Sequence, residues 1–345
     1  MVAEGDRIDE PLASLPPEYR ERARSALIAA FGSAPLAGMQ PITTGASASI
    51  HRIEVGGRPW ILRLESSIRD EVRDPRRSYA CMRAAAEAGI APPLLYADPD
   101  AGVAIMAFVQ GRALDDFPGG AKALAHALGN LAARLQATAV FPAVADYPTI
   151  VRGLLDRLQA TGLYGALLDP HRDGFERLCP AYPWDASGLV SSHNDAHPGN
   201  ILSDGERLWL IDWETAYRND PAVDLAIMTM YRAGTPDLQE ALLQSWCGRP
   251  SDAVLRARVF LMRQFVKLFY GCANGLYLCE TNPGLVETDM AAPTPAEFNA
   301  AIREGRLVQN SPEAQRVGAR VALRSFLDGV TSPAFDDAAA VLHTG

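Results

Sequence analysis

Hydrophobic and polar positions change their period several times along the chain, and each change marks an element. Residues 1–15, which open on the acidic stretch MVAEGDRIDE, predict a loose tail, and Pro17 to Phe31 follows as a first helix. From Met39 to Glu65 the period drops to two. Ile53 and Val55 alternate with polar neighbours, and Gly56-Gly57 offers a tight hairpin turn. The next strand, RPWILRLE, places Trp60, Leu62 and Leu64 on one face and Ile61, Arg63 and Glu65 on the other. Residues 76–88 read as a helix stopped by Gly89 and Pro92. GVAIMAFV, residues 102–109, is a near-continuous apolar run of strand length, flanked by the turn formers DPDAG and QGR.

Beyond residue 109 the helical period takes over. Leu124, Leu128, Leu131 and Leu135 fall on one stripe. A long helix opens at Ser251, read as its N-cap, with Leu255, Val259, Met262, Val266 and Phe269 on one face. Another opens at Ser311-Pro312, and the Pro-, Gly- and Thr-rich stretch 281–296 predicts a loop. Only NILSDGERLWLIDW, residues 200–213, breaks the helical run: Asp204-Gly205 is a two-residue turn signal between short strands. No internal repeat or low-complexity segment interrupts the chain. The pattern predicts an α+β chain in three segments. These are a tail and helix over 1–38, a small strand-rich N-lobe with one helix over 39–109, and a helical C-lobe with one hairpin over 110–345. A ligand is expected in the cleft between the lobes.

Composition narrows the partners. With 345 residues, 48% hydrophobic and 21% charged, the chain has material for a sizeable globular core. A net charge of −9 argues against binding nucleic acid or an anionic membrane, and suits a cationic small substrate. The start MVAEGDRIDE is not a signal peptide, and no apolar run is long enough to span a bilayer. Cys81, Cys179, Cys247, Cys272 and Cys279 are odd in number and form no CxxC pair, which predicts reduced thiols in a cytoplasmic protein. Oligomeric state is not encoded in any of these features.

HRDG at 171–174 resembles a protein-kinase catalytic loop, in which an Asn five residues after the Asp and an Asp on a following hairpin hold the metal, and SSHNDAHPGN at 191–200 offers a second Asp for the same phosphoryl-transfer chemistry. That chemistry needs a carboxylate near the attacking hydroxyl and oxygen ligands for magnesium on a rigid element. Five residues after Asp173 stands Leu178 and no hairpin follows, so HRDG reads as a surface stretch. Five residues after Asp195 stands Asn200, and the hairpin then returns the chain to Asp212, bringing two oxygen donors to one end. A carboxylate ending an apolar strand is costly without a partner, and a cation supplies one.

HNDAHPGNIL followed by LIDWE resembles the catalytic loop of the aminoglycoside phosphotransferase and choline kinase superfamily, whose pattern is H-[GN]-D-x-x-x-x-N and then [IV]-D-[WF]-E. Asn194 and Glu214 look more like its choline and ethanolamine kinase branch, and the likeness continues through NDPAVDLA, spanning about residues 40–235. The resemblance implies a protein-kinase-like bilobal fold and an ATP- and magnesium-dependent kinase of a small hydroxylated molecule. Asp195 would be the base, and Asn200 and Asp212 the metal ligands. His193 and Asp224 would support the loop, Asp224 also capping a helix, while His197 is either loop support or solvent-exposed. With Lys122 and Lys267 the only lysines, Arg63 would anchor phosphate. TTGASASIHR would cover the phosphates through Gly45, Ala46, Ser47 and Ser49, and Met106 to Val109, chiefly Met106 and Phe108, would frame adenine. Glu214 and Tyr217 are the expected substrate contacts, ahead of Trp213, Trp246, Tyr270, Tyr277 and the acids at 280–297. Two departures stand out: Ser78 where the family's helix has a Glu facing the strand cation, with Glu71 and Asp74 the nearest acids, and Gln136 where relatives often have His. Choline or ethanolamine kinase-like activity is the reading chosen. An aminoglycoside or other sugar phosphotransferase is the alternative, and a nucleotide-binding pseudokinase the alternative from another class.

Overall fold

A computed structural model of the chain describes residues 10–44, 48–66, 74–308 and 311–344. Five antiparallel strands form one sheet in the order β1-β2-β3-β5-β4: β1 (Leu36–Thr44), β2 (Ala48–Val55), β3 (Arg58–Glu65), β4 (Leu94–Asp98) and β5 (Val103–Ala107). The β2–β3 turn is the predicted one. Gly56 and Gly57 take φ of 62° and 70°, a left-handed pair that residues with a Cβ resist.

Strand alternation divides the sheet into two faces with different tasks. Ile53, Val55, Leu62, Leu64, Val103 and Ile105 build a buried core with Ala23, Ala26 and Leu27 of α1 (Pro17–Phe31). Each large side chain buried there contributes about 1.5–3 kcal/mol. Helix α1 begins and ends as its sequence dictates, with proline in its first turn and Gly32 at φ 64° closing it. Leu12 and Leu15, each 2% exposed, join the same core. Residues 10–15 therefore do not form the loose tail expected: two leucines three apart match the apolar sheet face, and Arg20 donates hydrogen bonds to the carbonyls of Ala13 and Leu15. On the opposite face Ile50 pairs with Arg63, and Ile61 with Met106, across the ladder.

Two compact units divide the chain. The first comprises residues up to Val144, Leu189–Asp224 and Tyr231–Arg249. It holds the sheet, α2 (Pro75–Glu87), α3 (Gly120–Gln136) and α7 (Pro236–Cys247). It also holds the ladder of β6 (Val190–Ser192) with β9 (Tyr217–Asn219) and the hairpin of β7 (Ile201–Ser203) with β8 (Leu208–Leu210). The hairpin lies where the sequence puts it, but its turn has four residues rather than two. Ser203 pairs with Leu208, and the Asp204 carboxylate accepts hydrogen bonds from Glu206 N, Arg207 N and Trp209 Nε1. That side-chain capping favours the wider turn.

The second unit is helical: α4 (Tyr147–Ala160), α5 (Asp169–Ala181), α8 (Ala253–Thr281), α9 (Pro295–Arg303), α10 (Pro312–Val330) and α11 (Pro333–Thr344), around a core containing Phe175, Phe265 and Phe326. The N-cap of α8 is Asp252, which accepts from Leu255 N, not Ser251, whose oxygens instead accept from Arg256. HRDG is no surface stretch. It lies on α5, with His171 fully buried and its ring 6.2 Å from that of Phe326. The polar letters hid the buried stripe of this helix, His171, Gly174, Phe175 and Leu178. Helix α6 (Ala222–Arg232) contributes its ends to the first unit and residues 225–230 to the second. No helix among the described residues is long and apolar enough to cross a membrane.

Candidate active site

The loop after β6 is fixed by a buried acid before any ligand is considered. Asp224, in the first turn of α6, accepts from Ser192 Oγ, His193 N and Asn194 N, each at 2.9 Å. Its carboxylate therefore serves the loop, while Asp220 accepts from Ala222 N at the start of the helix. Asn194 takes φ 63° and anchors its amide on β9 and the turn before it, donating to the carbonyls of Thr215 and Tyr217 and accepting from Asn219. The His193 ring donates from Nε2 to Ile211 O at 2.8 Å and meets Trp213 edge-on at 4.8 Å. Loop and hairpin are thereby tied together on both sides of Asp195.

Asn200 Nδ2 donates to both the carbonyl and the carboxylate of Asp195, at 2.9 and 3.1 Å. Both Asn200 hydrogen bonds come from its nitrogen, which leaves the amide oxygen for a cation. Ile211 N donates to Asn200 O at 3.0 Å, so Asn200 and Asp212 stand at one end of the hairpin. Asp212 itself adopts φ 63°, ψ 74°, a strained conformation for a residue with a side chain. Its Oδ1 is buried and lies 3.1 Å from Arg63 Nη1, without accepting an aligned hydrogen bond among the described residues. An amide oxygen and an underused carboxylate oxygen suit magnesium, a hard cation that takes one or two protein oxygens and completes its shell with water and phosphate. Among the described residues no group of three or more His, Cys, Asp or Glu could hold a metal.

Arg63 is the hub of the charges. It is 7% exposed and meets Glu65 through Nε at 2.8 Å, Asp212 through Nη1 at 3.1 Å and Glu214 through Nη2 at 3.8 Å. Burial disfavours its charge, but the Asp212 and Glu65 carboxylates outweigh that and raise its pKa. No acid of α2 meets Arg63 among the described residues. Asp74 caps that helix by accepting from Arg76 N, and Glu71 lies outside the described residues. Helix α2 reaches the site differently: Arg77, also buried, donates to the carbonyls of Glu214 and Ala216 at 2.7 and 3.0 Å. Sequence reasoning passed over Glu65 and Arg77, although period-two alternation had already put Glu65 beside Arg63.

A cavity of about 450 Å³ opens beside these groups. Ile50, Ile61, Met106, Leu202 and Ile211 wall it, Phe108 lines one edge, and Arg63, Asn200, Asp212 and Glu214 supply its polar end. An apolar slot with charge at one end fits a nucleotide, base first. Two expected residues are not brought here. Ser49 points to the other sheet face, 2.8 Å from His51 Nε2, as its alternation with Ile50 requires. Tyr217 is buried in the β6–β9 ladder, where its hydroxyl accepts from Asn219 Nδ2. Gly45, Ala46 and Ser47 lie outside the described residues. Two residues near Asp195 join the site. His197 accepts from Gly199 N through Nδ1 and places Nε2 3.6 Å from Asp195 Oδ2, and burial lowers its pKa. Tyr231, whose ring is 6.4 Å from that of His197, has its phenol pushed up to about 12 by burial and then by Asp195.

Comparison with known proteins bears on the fold and the family. A choline/ethanolamine kinase family protein from Mesorhizobium loti superposes with a TM-score of 0.68 at 21% identity, covering 94% of this chain and 99% of that one. A spectinomycin phosphotransferase, solved with ADP and spectinomycin, gives a TM-score of 0.53 at 15% identity over 86% of this chain and 97% of its own. Both share the protein-kinase-like α+β fold, a small antiparallel sheet lobe followed by a mostly helical one. Protein LicA of Haemophilus influenzae is 28% identical over 93 residues, 27% of this chain, and the match spans about a third of LicA's length (34%). A model of the phosphotransferase enzyme family, APH, matches residues 38–259, more than half of the chain, and the protein belongs to that family.

Proposed function

We propose that the protein is an ATP- and magnesium-dependent phosphotransferase acting on the hydroxyl of a small molecule, most like a choline or ethanolamine kinase. The observation that carries this reading is the grouping of Asn200, Asp212 and Arg63 at one end of an apolar cavity, with Asp195 hydrogen-bonded to Asn200. In this reading the strand-rich segment 39–109 covers the nucleotide, with Met106 and Phe108 beside the base and Arg63 on the phosphates. Asn200 and Asp212 would hold magnesium, which supplies charge neutralisation on the phosphate oxygens.

Asp195 would accept the proton of the substrate hydroxyl as its oxygen bonds to the transferred phosphorus and ADP leaves. The Asn200 hydrogen bond orients that carboxylate, and the Asp224 brace fixes the loop that carries it. His193 supports the same loop from the hairpin side. A cationic acceptor is favoured by the net charge of −9 and by the acids Asp195 and Glu214 beside the transfer site. The likeness to the choline/ethanolamine kinase family protein, over nearly the full length of both chains, points the same way. Work in the cytoplasm, where ATP is available, fits this chemistry.

The test is ATP turnover with a panel of amino alcohols and aminosugars. Phosphorylation of choline or ethanolamine is expected; phosphorylation of aminosugars alone would move the protein to the sugar phosphotransferases, and nucleotide binding without turnover would make it a pseudokinase. Asp195→Ala is expected to lower turnover by roughly 10²–10⁴-fold while nucleotide binding is kept. Undiminished turnover in that variant would remove the role given to Asp195.

A further inference from the structure

Among the described residues no acid of α2 meets Arg63, yet three carboxylates from β3 and the segment after β8 surround its guanidinium. We propose that Glu65 is the positioning residue for Arg63, clamping its guanidinium so that the opposite edge is presented to the nucleotide phosphates. This rests on the nucleotide-dependent reading above.

The geometry separates the three carboxylates around Arg63 into two kinds. Glu65 grips Nε at 2.8 Å, and both side chains are interior, 8% and 10% exposed. Asp212 and Glu214 meet Nη1 and Nη2 at 3.1 and 3.8 Å and are 33% and 28% exposed, both on the cavity wall. An arriving phosphate competes for the Nη edge and can take over from Asp212 and Glu214. It does not reach Nε, which stays with Glu65. The planar fork of an arginine transmits orientation: fixing Nε in the guanidinium plane fixes where Nη1 and Nη2 point.

Residue spacing explains why Glu65 can do this. Positions 63 and 65 lie two apart on β3 and share its cavity-facing side, so the clamp is built within one strand. The backbone and Cβ that carry the carboxylate are themselves confined. Glu65 N donates to Gly102 O at 2.8 Å, Arg22 Nη2 donates to Glu65 O at 3.1 Å, and a Cβ at Gly102 would stand 3.1 Å from Glu65 Cβ. On α2, Ser78 stands where the acid was expected and turns its hydroxyl to Pro75 O. The next residue, Tyr79, is buried, and burial together with the Glu65 charge raises its phenol well above its ordinary range.

Three variants separate contact from charge. Glu65→Gln keeps the length and an acceptor for Nε but loses the charge; Glu65→Asp keeps the charge but draws it back from Nε; Glu65→Ala loses both. Affinity for a non-hydrolysable ATP analogue is measured by calorimetry with thermal unfolding in parallel, and KM for ATP is compared with KM for the acceptor. Positioning predicts that Gln stays within roughly threefold of wild type, while Asp and Ala lose about tenfold or more, the size of a lost charge-assisted hydrogen bond. KM for the acceptor stays unchanged. Should Ala fail to fold, the Gln and Asp pair still decides. The inference falls if Asp binds like wild type while Gln does not, or if all folded variants bind like wild type. A wild-type protein that binds no ATP analogue overturns the nucleotide reading and this inference with it.

Discussion

Asp212 must satisfy two conflicting demands at one position. Its backbone, at φ 63° and ψ 74°, favours glycine or asparagine, while its side chain is the acid beside Arg63. Asp212→Asn is therefore expected to fold normally, since asparagine tolerates that conformation, but to raise the magnesium concentration for half-maximal turnover by roughly tenfold or more, because the site loses ligand charge. Magnesium titrations of both proteins check this, and an unchanged requirement would remove Asp212 from the metal site. Asp224 faces the reverse situation. Its three donors all need an acceptor in a fully buried place, and Asp224→Asn sets an NH₂ against them. A loss of ~3 kcal/mol in denaturant unfolding is expected, from unsatisfied buried polar groups. Asp195, Asn200, Asp212 and Arg63 were legible in the sequence because fixed spacing on a hairpin and a strand nearly dictates their meeting. Ser49 and Tyr217 were misplaced because a residue's chemistry says nothing of which strand face it occupies. For Ser49 the alternation with Ile50 held the answer. Tyr231, brought near Asp195 from the end of α6, left no trace in local spacing.

Elements were legible where their ends carry a mechanism. Proline at the start and Gly32 at the end bound α1, two positive-φ glycines make the β2–β3 turn, and Ser311 caps α10 by accepting from Ala314 N. Elements held mainly by tertiary partners were not legible. The three-residue strands β6 and β9 exist only as a pair, too short for any period to register. The four-residue turn after β7 depends on an Asp204 side chain whose bonds no dipeptide rule anticipates. Helices α3 and α7 give a case where one hydrogen atom sets the packing. A Cβ on Gly129 would lie 2.1 Å from Leu242 O, a backbone atom that cannot swing aside. Alanine is ordinarily the better helix former, by about 0.8–1.0 kcal/mol. Here Gly129→Ala is expected to destabilise by roughly 1–3 kcal/mol, the usual cost of overpacking, with a lowered melting temperature. A raised melting temperature would mean that the two helices separate freely.

At the scale of the whole molecule the buried titratable groups set the pH range of stability. His171, wholly enclosed and stacked near Phe326, has its pKa lowered to about 4 by burial, and burial also lowers His51 and His197. A histidine held neutral in the fold but titrating normally when unfolded lends stability that is complete above about pH 6.5 and erodes as pH falls toward the folded value. For His171 the full effect is roughly 3 kcal/mol, at a limiting slope of ~1.4 kcal/mol per pH unit. Carboxylates act in a lower window. Glu287 is lowered by its hydrogen bonds to Arg316, so its contribution is present above its ordinary value of 4.5 and is lost only below it. The alkaline side is limited by thiols: burial raises Cys81 and Cys272 to about 12, so stability falls once the unfolded chain's thiols ionise near pH 9. Between pH 4.5 and 6.5 the histidines act, and His171 is singled out because its ring lies on α5 against Phe326 of α10. His171→Leu is expected to flatten the fall in unfolding free energy across that window by up to one proton's worth, with the alkaline limb unchanged. Denaturant unfolding at several pH values in parallel with wild type reads the difference directly. Equal slopes would show that His171 becomes charged within the fold without penalty, and that acid sensitivity arises from His51, His197 or the carboxylates instead.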